Sequence, residues 1–448
     1  MMFRFGLRNL GLLSMINIIK QSDANFSDVF AQLLCAKREM SVDVDTTVKA
    51  IIDDVRENGD KALFAYTAKF DNLAVDSQSV RISQEMIQDA IAKCDAEVLN
   101  AFKVSAKRIE DFHSKTLPTD LSYTDDIGVK LGMRYKPVES AGLYVPGGTA
   151  SYPSSVLMNA IPARVAGVER LVMVVPTPNG DINPYVLAAA DICGVTEIYR
   201  VGGAQAIASL AFGTESIAPV VKITGPGNAY VATAKRQVFG HVGIDMIAGP
   251  SEILVVADKN ANPEWVAMDL LSQAEHDVSA QSILITPCKT LATQVVKAVE
   301  KILETLPRTV IASKSWQDFG AVIVVDTMDD SIDLVNAIAP EHLELAMEDA
   351  EHYAESVKNA GAIFLGYFTP EAIGDYIGGP NHVLPTARSA RFSSGLCVID
   401  FMKRTTILGC NADNLQKIGH QAVCMSTEEG LHAHGMSVSL RLGKSDAK

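Results

Sequence analysis

Residues 197–212 read EIYRVGGAQAIASLAF, which is a short apolar run, a pair of glycines and then a stretch of small and apolar residues. An apolar run bounded by a turn signal is typical of a buried strand, and the stretch after it is typical of a helix. The same order of strand, loop and helix occurs four times between residues 141 and 252. Repeated units of this kind predict a parallel sheet with helices on its faces and right-handed crossovers. The predicted strands are 142–145, 170–176, 197–201 and 220–224, and the predicted helices are 154–166, 184–193, 204–212 and 229–238.

A second series of predicted strands begins after Ser251. Upstream of both series, apolar positions recur at helical spacing in residues 44–65 and 82–113, which predicts amphipathic helices. Together these patterns predict an α/β fold of two parallel-sheet, Rossmann-like domains with small N- and C-terminal appendages. The strands of the second series are 253–257, 282–286, 321–325, 343–346 and 362–365, and a further strand is predicted at 131–135.

The chain of 448 residues is too long for one ordinary core, and its predicted domains are nested. Residues 40–140 and 253–396 are predicted to form a larger α/β domain, into which residues 141–252 are inserted as a second one. Residues 1–39 are predicted to be an N-terminal extension and helical arm. Residues 397–448 have weaker patterning and are predicted to be a tail domain that reaches another subunit.

Charge and cysteine usage restrict the class of protein. The formal net charge of −14 argues against a nucleic-acid backbone as partner. The seven cysteines are scattered and form no CxxC pair, which indicates free thiols in a reducing compartment. No segment has the length of a membrane span, and the N-terminus lacks the apolar run of a secretory signal. We therefore expect a cytoplasmic protein that starts at Met1 or Met15, with an organellar transit peptide as the weaker alternative.

Three glycine-rich loops, 144–149, 202–205 and 225–228, follow predicted strands of the first series. Glycines let backbone N–H groups approach a phosphate, and the start of the following helix favours negative charge. Each loop alone is more simply a turn, but three at one sheet edge favour a nucleotide site. Tyr230 stands where a dinucleotide fingerprint has its third glycine, whereas Asp245 lies at the distance of a ribose-binding acid.

Candidate metal ligands occur at the end of a predicted helix and in later loops. Gln273 and His276 are three residues apart and share a helical face, so they offer an amide oxygen and an imidazole nitrogen to one ion. Asp375, in a glycine-dense segment predicted as loop, is a candidate anionic ligand, although a turn or a helix cap explains it as simply. His432 and His434 form a His-x-His pair in the tail, where solvent exposure is the plainer explanation.

The pair Glu341-His342 offers acid–base chemistry. It stands after Pro340 and just before a predicted strand, which indicates a fixed loop at a sheet edge. Histidine is the natural proton acceptor near neutral pH, and a neighbouring carboxylate can activate water. A surface Glu-His dipeptide is the alternative, because such pairs are common.

From about residue 17 to residue 442 the sequence resembles the histidinol dehydrogenase family, and its seven matching segments are together highly specific. The first 14 or so residues have no counterpart in that resemblance. The matching segments are GLYVPGG (142–148), VGGAQA (201–206), GPGN (225–228), AGPSE (248–252), QAEHD (273–277), APEHLE (339–344) and DYIGGPNHVLPT (375–386).

The resemblance implies a zinc enzyme, with one zinc per subunit, in an aldehyde-dehydrogenase-like arrangement of domains. It also implies a homodimer with shared active sites, in which the C-terminal tail completes the site of the partner. His432 occupies a position that varies in the family and is not an implied ligand. The implied zinc ligands are Gln273, His276, Asp375 and His434, the implied NAD contacts are Tyr144, Gln205 and Asn228, and the implied substrate contacts are Ser251, His342, Glu429 and the zinc ligands.

The implied reaction is the last step of histidine biosynthesis, which oxidises L-histidinol to L-histidine through an aldehyde with two NAD. Both the imidazole and the amine of histidinol are good zinc ligands, so four protein ligands and two substrate nitrogens would give six-coordination, unlike a tetrahedral structural site. The implied roles make His342 the base in both oxidations and Glu341 the activator of the water that adds to the aldehyde.

Two rival functions remain open on the sequence alone. One is a thiol-dependent aldehyde dehydrogenase, but neither Cys193, after an apolar helix, nor Cys288, at the end of a strand, lies in a convincing nucleophile setting. The other is a non-catalytic metal- or nucleotide-binding protein. Such a protein would keep the candidate metal ligands but would not need Glu341 beside His342, so the combination favours an enzyme. Those ligands are Gln273, His276 and Asp375.

Overall fold

The computed structural model describes residues 18–35, 42–147 and 152–443. The first residues of the predicted N-terminal extension, both alternative starts, and Gly148-Thr149 of the first glycine-rich loop lie outside these ranges. The described strands are β1 (Ile18–Lys20), β2 (Leu121–Thr124), β3 (Lys130–Pro137), β4 (Ser140–Tyr144), β5 (Arg170–Val174), β6 (Glu197–Tyr199), β7 (Lys222–Thr224), β8 (Gly243–Ile244), β9 (Glu252–Ala257), β10 (Gln281–Thr286), β11 (Ala321–Val324), β12 (His342–Ala346), β13 (Ala362–Leu365) and β14 (Met402–Gly409).

Helices alternate with these strands over most of the chain. No helix among the described residues is both long enough and apolar enough to cross a membrane. The described helices are α1 (Phe26–Cys35), α2 (Val42–Asp71), α3 (Gln84–Ile91), α4 (Ala96–Lys115), α5 (Pro153–Ala166), α6 (Pro184–Ile192), α7 (Gly203–Phe212), α8 (Ala229–Val238), α9 (Pro263–Ala274), α10 (Lys289–Leu303), α11 (Thr309–Phe319), α12 (Asp330–Ile338), α13 (Ala350–Ala354), α14 (Glu371–Tyr376), α15 (Ala412–Glu428) and α16 (His432–Arg441).

The first parallel sheet has the strand order β6-β5-β4-β7-β8. Its central strand β4 is buried at every position, as expected for a strand with helices on both faces. The chain builds outward from β4 to β6 and then crosses to β7 on the other side. The four predicted strands and the four predicted helices of this series are confirmed, with ends shifted by a few residues. The carboxyl ends of β4 and β7 form the switch point at which open α/β sheets bind ligands.

Helices α2, α3 and α4 pack on this first sheet, which corrects the expectation that residues 40–140 join the second series. Val48 and Leu63 of α2 share a core with Leu210 of α7, and Ile87 and Ile109 share another with α5 and α6. The reason is that α7 is apolar all round and buries every residue from 204 to 211, so it needs a second helical layer outside it. The rest of the predicted domain division stays a prediction.

The segment 82–113, predicted as one helical pattern, contains two helices. Ser83 caps α3 through the N–H of Met86, and Asp95 caps α4 through the N–H of Glu97. Short polar side chains before a helix accept hydrogen bonds from its free N–H groups, so each begins a separate helix. The uninterrupted apolar spacing concealed this break.

The second parallel sheet has the order β1-β11-β10-β9-β12-β13. All five strands predicted for this series are present, and the three-residue strand β1 extends the sheet as an edge strand that the sequence analysis did not predict. Strands β9, β10 and β12 are buried along their whole lengths. The prediction of an α/β fold with two parallel sheets is therefore confirmed.

The C-terminal tail begins against the first sheet's core and continues as a strand and a helical hairpin. Leu396, Val398 and Phe401 are buried with α5. Strand β14 then pairs antiparallel with β3, which itself pairs with β2. Helices α15 and α16 follow, and Gly435 lets them approach closely, since a Cβ there would lie 2.7 Å from Ser426 Oγ.

A histidine lies in the core of the helical layer. His113 of α4 is 1% exposed, and neither of its ring nitrogens has a hydrogen-bond partner within the described ranges. Burial lowers the pKa of His113 from 6.5 to about 4. Because the fold favours the neutral ring, this residue contributes stability that is present above the unfolded-state pKa and is lost as the pH falls from there toward 4.

We expect His113→Phe to reduce the acid sensitivity of the fold. Between about pH 7.5 and about pH 5, the free energy of unfolding should fall by about 2 kcal/mol more in the unsubstituted chain than in the variant. Urea unfolding at both pH values measures the difference, with the exposed His352→Phe as the control. The same pH dependence in all three chains would contradict the assignment.

Candidate active site between the two parallel sheets

Strand and helix ends of the second sheet bring the candidate catalytic residues together. His342 is the first residue of β12 and pairs in register with Ile253 of the neighbouring strand β9. Gln273 lies in the last turn of α9, whose chain continues to His276, and Asp375 lies in the last turn of α14 rather than in a loop. All these positions belong to the amino-terminal edge of the second sheet.

His342 is a buried base with one nitrogen fixed and one free. Its Nδ1 lies 2.9 Å from the carbonyl oxygen of Glu252, which requires Nδ1–H to donate. Its Nε2 has no hydrogen-bond partner in the described parts of the chain and lies 3.9 Å from Asp375 Oδ1. Burial lowers the pKa of His342 to about 4, so the ring is neutral and Nε2 carries a lone pair. The Phe364 ring lies 6.0 Å from the imidazole and helps to bury it.

Glu341 is buried beside this base. Its Oε2 accepts a hydrogen bond of 2.9 Å from the N–H of Glu252 and lies 3.7 Å from Nδ1 of His342. The Glu252 backbone therefore holds both members of the pair, the carboxylate by its N–H and the imidazole by its C=O. Gly361 leaves the room for this arrangement, since a Cβ there would lie 2.5 Å from the carbonyl oxygen of Glu341.

Gln273 is buried between Glu371 and the start of β9. The amide orientation that satisfies both of its ends donates to Glu371 Oε1 at 3.1 Å and accepts from the Glu252 N–H at 2.9 Å. A terminal amide atom also lies 3.4 Å from Nδ1 of His342. The structure thus joins the predicted metal ligand Gln273 to the catalytic pair.

Glu371 is a site residue that the sequence analysis missed. One ligand atom from each of His342, Glu371 and Asp375 lies within 4.8 Å of the other two. Burial, and then the Asp375 carboxylate, raise the pKa of Glu371 well above its usual range. The signal in the sequence is that Glu371 and Asp375 are four apart and so share a helical face, but a helix was not predicted there.

Two more carboxyl groups lie behind Glu371. Burial and the neighbouring Asp269 carboxylate raise the pKa of Glu344 well above its usual range. Burial also raises the pKa of Asp269, which is hydrogen-bonded to Glu344. Buried carboxyl groups in this number, with a free imidazole nitrogen, form a donor set that suits a divalent cation.

Two further histidines border the cluster. Nδ1 of His382 lies 3.0 Å from the carbonyl oxygen of Asp375 and 3.7 Å from its Oδ1, while Nε2 lies 3.4 Å from Ser155 Oγ of α5. His382 therefore links Asp375 to the first sheet's helices. Burial lowers the pKa of His382, the Asp375 carboxylate opposes this shift, and His276 has a smaller lowering effect on both His382 and His342. His276 is thus near both rings, although it is not part of the closest group of ligand atoms.

The remaining predicted contacts of substrate and metal lie at the periphery. Ser251 is half-buried and directly precedes β9. Glu429 and His434 are exposed on the hairpin of α15 and α16. The closest group of ligand atoms within the described residues does not include His434. Within one chain, therefore, Gln273, Glu341, His342 and Asp375 come together.

The glycine-rich loops meet at the carboxyl edge of the first sheet, where Tyr144 connects them. Its hydroxyl accepts a hydrogen bond from the N–H of Gly203 at 3.1 Å, and burial raises its pKa to about 12. The Gln205 side chain is 1% exposed, and its Oε1 has no hydrogen-bond partner in the part of the chain described. Asn228 is exposed and caps α8 through the N–H groups of Tyr230 and Val231. This edge offers polar groups and the starts of two helices.

Asp245 does not have the environment of a ribose-binding acid, which corrects that expectation. Its carboxylate is buried in an ion pair with Lys235, and its Oδ2 accepts from the N–H of Gly225 at 2.8 Å. Both oxygens are therefore engaged within the protein. Asp245 thus has the sequence spacing of a ribose-binding acid, but its carboxylate is buried rather than exposed at the surface of the crevice, where a ligand would bind.

The thiol alternative has little support among the cysteines that the sequence analysis weighed. Cys193 is buried in the core of the first sheet, and burial raises its pKa to about 12. Cys288 stands directly before α10, makes no capping hydrogen bond through its side chain and packs against the core of the second sheet. A buried thiol that resists ionisation is a poor nucleophile.

Comparison with known proteins identifies the family of the chain. The family model described as histidinol dehydrogenase matches residues 35–442. The histidinol dehydrogenase of Bradyrhizobium diazoefficiens is 61% identical over 427 residues, which cover 95% of this chain and 99% of that protein. That of Rhodospirillum rubrum is 60% identical and covers 95% and 98%. The crystal structure of histidinol dehydrogenase from Elizabethkingia anophelis superposes with a TM-score of 0.91 at 38% identity, covering 96% of this chain and 98% of that one.

The resemblance found in the sequence is therefore confirmed. The chain belongs to the histidinol dehydrogenase family.

Proposed function

We propose that the protein completes histidine biosynthesis by oxidising L-histidinol to L-histidine through L-histidinaldehyde, with two NAD per turnover. Membership of an NAD-dependent oxidoreductase family supports the reaction. The observation that carries the proposal is His342, a buried neutral imidazole whose Nε2 is free and faces a cluster of candidate metal ligands. Oxidation of an alcohol needs such a proton acceptor at the hydroxyl group, while the carbon gives its hydride to NAD.

The metal in this proposal is zinc, one per subunit. Its fit to the chain rests on the buried carboxyl groups concentrated at the site, of which Asp375 is a proposed ligand. When bound, zinc would supply a positive charge that anchors the imidazole and amine of the substrate and stabilises negative charge on its oxygen. The proposed ligands are Gln273, His276, Asp375 and His434.

The proposed NAD contacts are Tyr144, Gln205 and Asn228. The unpartnered Oε1 of Gln205 supports them, since a buried amide oxygen without a partner is costly unless a ligand supplies one. The starts of α7 and α8 lie at the same edge and favour an anionic pyrophosphate. When bound, NAD would accept the hydride of each oxidation.

The contacts of His342 and Glu341 support the proposed catalytic roles. Because Glu252 holds Nδ1–H, Nε2 of His342 is the atom that accepts the hydroxyl proton of the alcohol, and later that of the aldehyde hydrate. Glu341, buried beside it, accepts the proton of the water that adds to the aldehyde. Ser251 and Glu429 are the proposed further contacts of the substrate.

We also propose a cytoplasmic homodimer with shared active sites. Glu429 and His434 are exposed in the single chain, so they need a second copy if they act at a site. The tail also exposes large apolar side chains, which typically mark an interface. Those side chains are Leu408, Met425, Leu431 and Leu440, exposed by 70%, 65%, 43% and 60%.

His342→Asn should suppress both oxidations, and Glu341→Gln should mainly suppress the second. Loss of a general base lowers kcat by about 10²- to 10⁴-fold, while the amide of Gln cannot take a proton from water. Single turnovers started with L-histidinol and with L-histidinaldehyde separate the two steps, and the exposed His352→Asn serves as the control. Equal losses on both substrates for Glu341→Gln would contradict this division of roles.

Removal of metal should abolish activity, and zinc should restore it. The untreated enzyme should form two NADH per histidinol, and the chelated enzyme none. Asp375→Asn should lower the zinc content measured by atomic emission, because it replaces a charged ligand with a neutral one. Activity that survives complete removal of metal would overturn the zinc assignment.

Mixed dimers test whether the site is shared. If His342 and His434 of one site come from different subunits, a mixture of His342→Asn and His434→Asn chains, exchanged by unfolding and refolding, regains about a quarter of the unsubstituted activity. Half of such dimers are mixed, and each has one intact site. Each variant refolded alone is the control. A mixture no more active than its parents shows that both residues act within one chain.

A further inference from the structure

Lys235 of α8 and Asp245, the residue after β8, form a buried ion pair in the first domain. Their side chains are exposed by only 2% and 1%. Burying two charges costs much of what their attraction returns, and apolar residues of similar size often serve stability as well. The reason for the pair therefore lies in what else its atoms contact.

Both partners of the pair contact the same residue, Gly225. Asp245 Oδ2 accepts a hydrogen bond of 2.8 Å from its N–H, and Lys235 Nζ donates one of 2.9 Å to its carbonyl oxygen. The two polar backbone groups of Gly225 are thus held by opposite charges. Hydrogen bonds to charged groups are stronger than those between neutral groups, so this attachment is firm.

Gly225 has a positive φ and lies very close to the backbone of β4. Its φ is +112°, and a Cβ at this position would lie 2.1 Å from the carbonyl oxygen of Tyr144. The loop is therefore pressed against the end of the central strand β4. From Gly225 it runs through Pro226-Gly227 to Asn228, which caps α8. The ion pair fixes where the loop begins, and the cap fixes where it ends.

We propose that Lys235 and Asp245 are positioning residues, which clamp the loop 225–228 against Tyr144 and so shape the dinucleotide site. This inference rests on the proposed NAD contacts of Tyr144 and Asn228. The clamp keeps Gly225 in the left-handed region at the switch point of the sheet, where the backbone must stay close to β4 for a ligand to fit. Without it, NAD binding would have to order the loop, and this cost would lower the affinity.

Asp245→Asn tests the clamp. The variant keeps the shape of the side chain but removes the charge that holds Lys235. We expect KM for NAD to rise about tenfold or more, with kcat at saturating NAD, KM for histidinol and zinc content within about threefold of the unsubstituted enzyme. Steady-state kinetics and direct NAD titration of the zinc-loaded protein measure these values.

The control is Glu197→Gln, in an ion pair of the same sheet. Arg170 and Glu197 open β5 and β6 at the amino edge, with bonds of 2.9 and 2.8 Å, far along the strands from the glycine loops. This variant should lower thermal stability without changing KM for NAD. An equal increase in KM for NAD in both variants would show that the ion pair acts only through the stability of the domain. An unchanged KM for NAD in Asp245→Asn would overturn the clamp.

If Asp245→Asn does not fold, the double variant Lys235→Met/Asp245→Asn leaves no charge buried and is measured instead. It still lacks the donor to the Gly225 carbonyl, so the same rise in KM is expected, and a normal KM overturns the clamp. An unsubstituted enzyme that does not reduce NAD with histidinol would refute the proposed function itself. An unsubstituted enzyme that does so, beside an Asp245→Asn variant with a normal KM, would refute only the clamp.

Discussion

The hydrogen bond between Nδ1–H of His342 and the carbonyl oxygen of Glu252 is the contact on which the site depends. The two residues open neighbouring strands, so the register of β12 and β9 fixes the imidazole as firmly as the sheet itself. The bond also selects the tautomer, because it leaves Nε2 as the only basic atom. A base built on a strand end is held more precisely than one on a loop, which suits the role in two successive oxidations that we propose for His342.

Around that base, one strand and two helices each contribute two polar residues, spaced so that both side chains lie on the same face of the element. His342 and Glu344 alternate on one face of β12, Asp269 and Gln273 share a face of α9, and Glu371 and Asp375 share a face of α14. The pairs form an inner layer at the reacting groups and an outer layer of carboxyl groups. Burial and mutual repulsion favour protons in the outer layer, as the raised pKa values of Glu344 and Glu371 show. The inner layer thus places an imidazole, an amide and a carboxyl group together at the proposed metal site.

The sequence predicted the strands well because buried parallel strands are continuous apolar runs, and its motifs named four residues that the structure brings together, Gln273, Glu341, His342 and Asp375. It did not predict that α2 covers α7, since an amphipathic pattern identifies a buried face but not its partner. It placed Asp245 by spacing alone, and spacing does not reveal that Lys235 engages the carboxylate. Glu371 was missed because α14 has only six residues, too few for a helical period to be recognised.

The two sheets present opposite edges to the proposed reaction, and electrostatics explains why. In a parallel α/β sheet, helices begin at the carboxyl edge of the strands and end at the amino edge. The carboxyl edge of the first sheet therefore offers the positive starts of α7 and α8, which suit an anionic dinucleotide. The amino edge of the second sheet offers the negative ends of α9 and α14, which suit a cation. The proposed site would hold an anionic pyrophosphate and a zinc cation. Helix starts favour the first and helix ends favour the second, and in one parallel sheet these lie on opposite edges. The candidate catalytic residues of the second sheet thus lie at the edge whose helix ends favour a cation, and the candidate NAD contacts lie at the edge of the first sheet whose helix starts favour an anion.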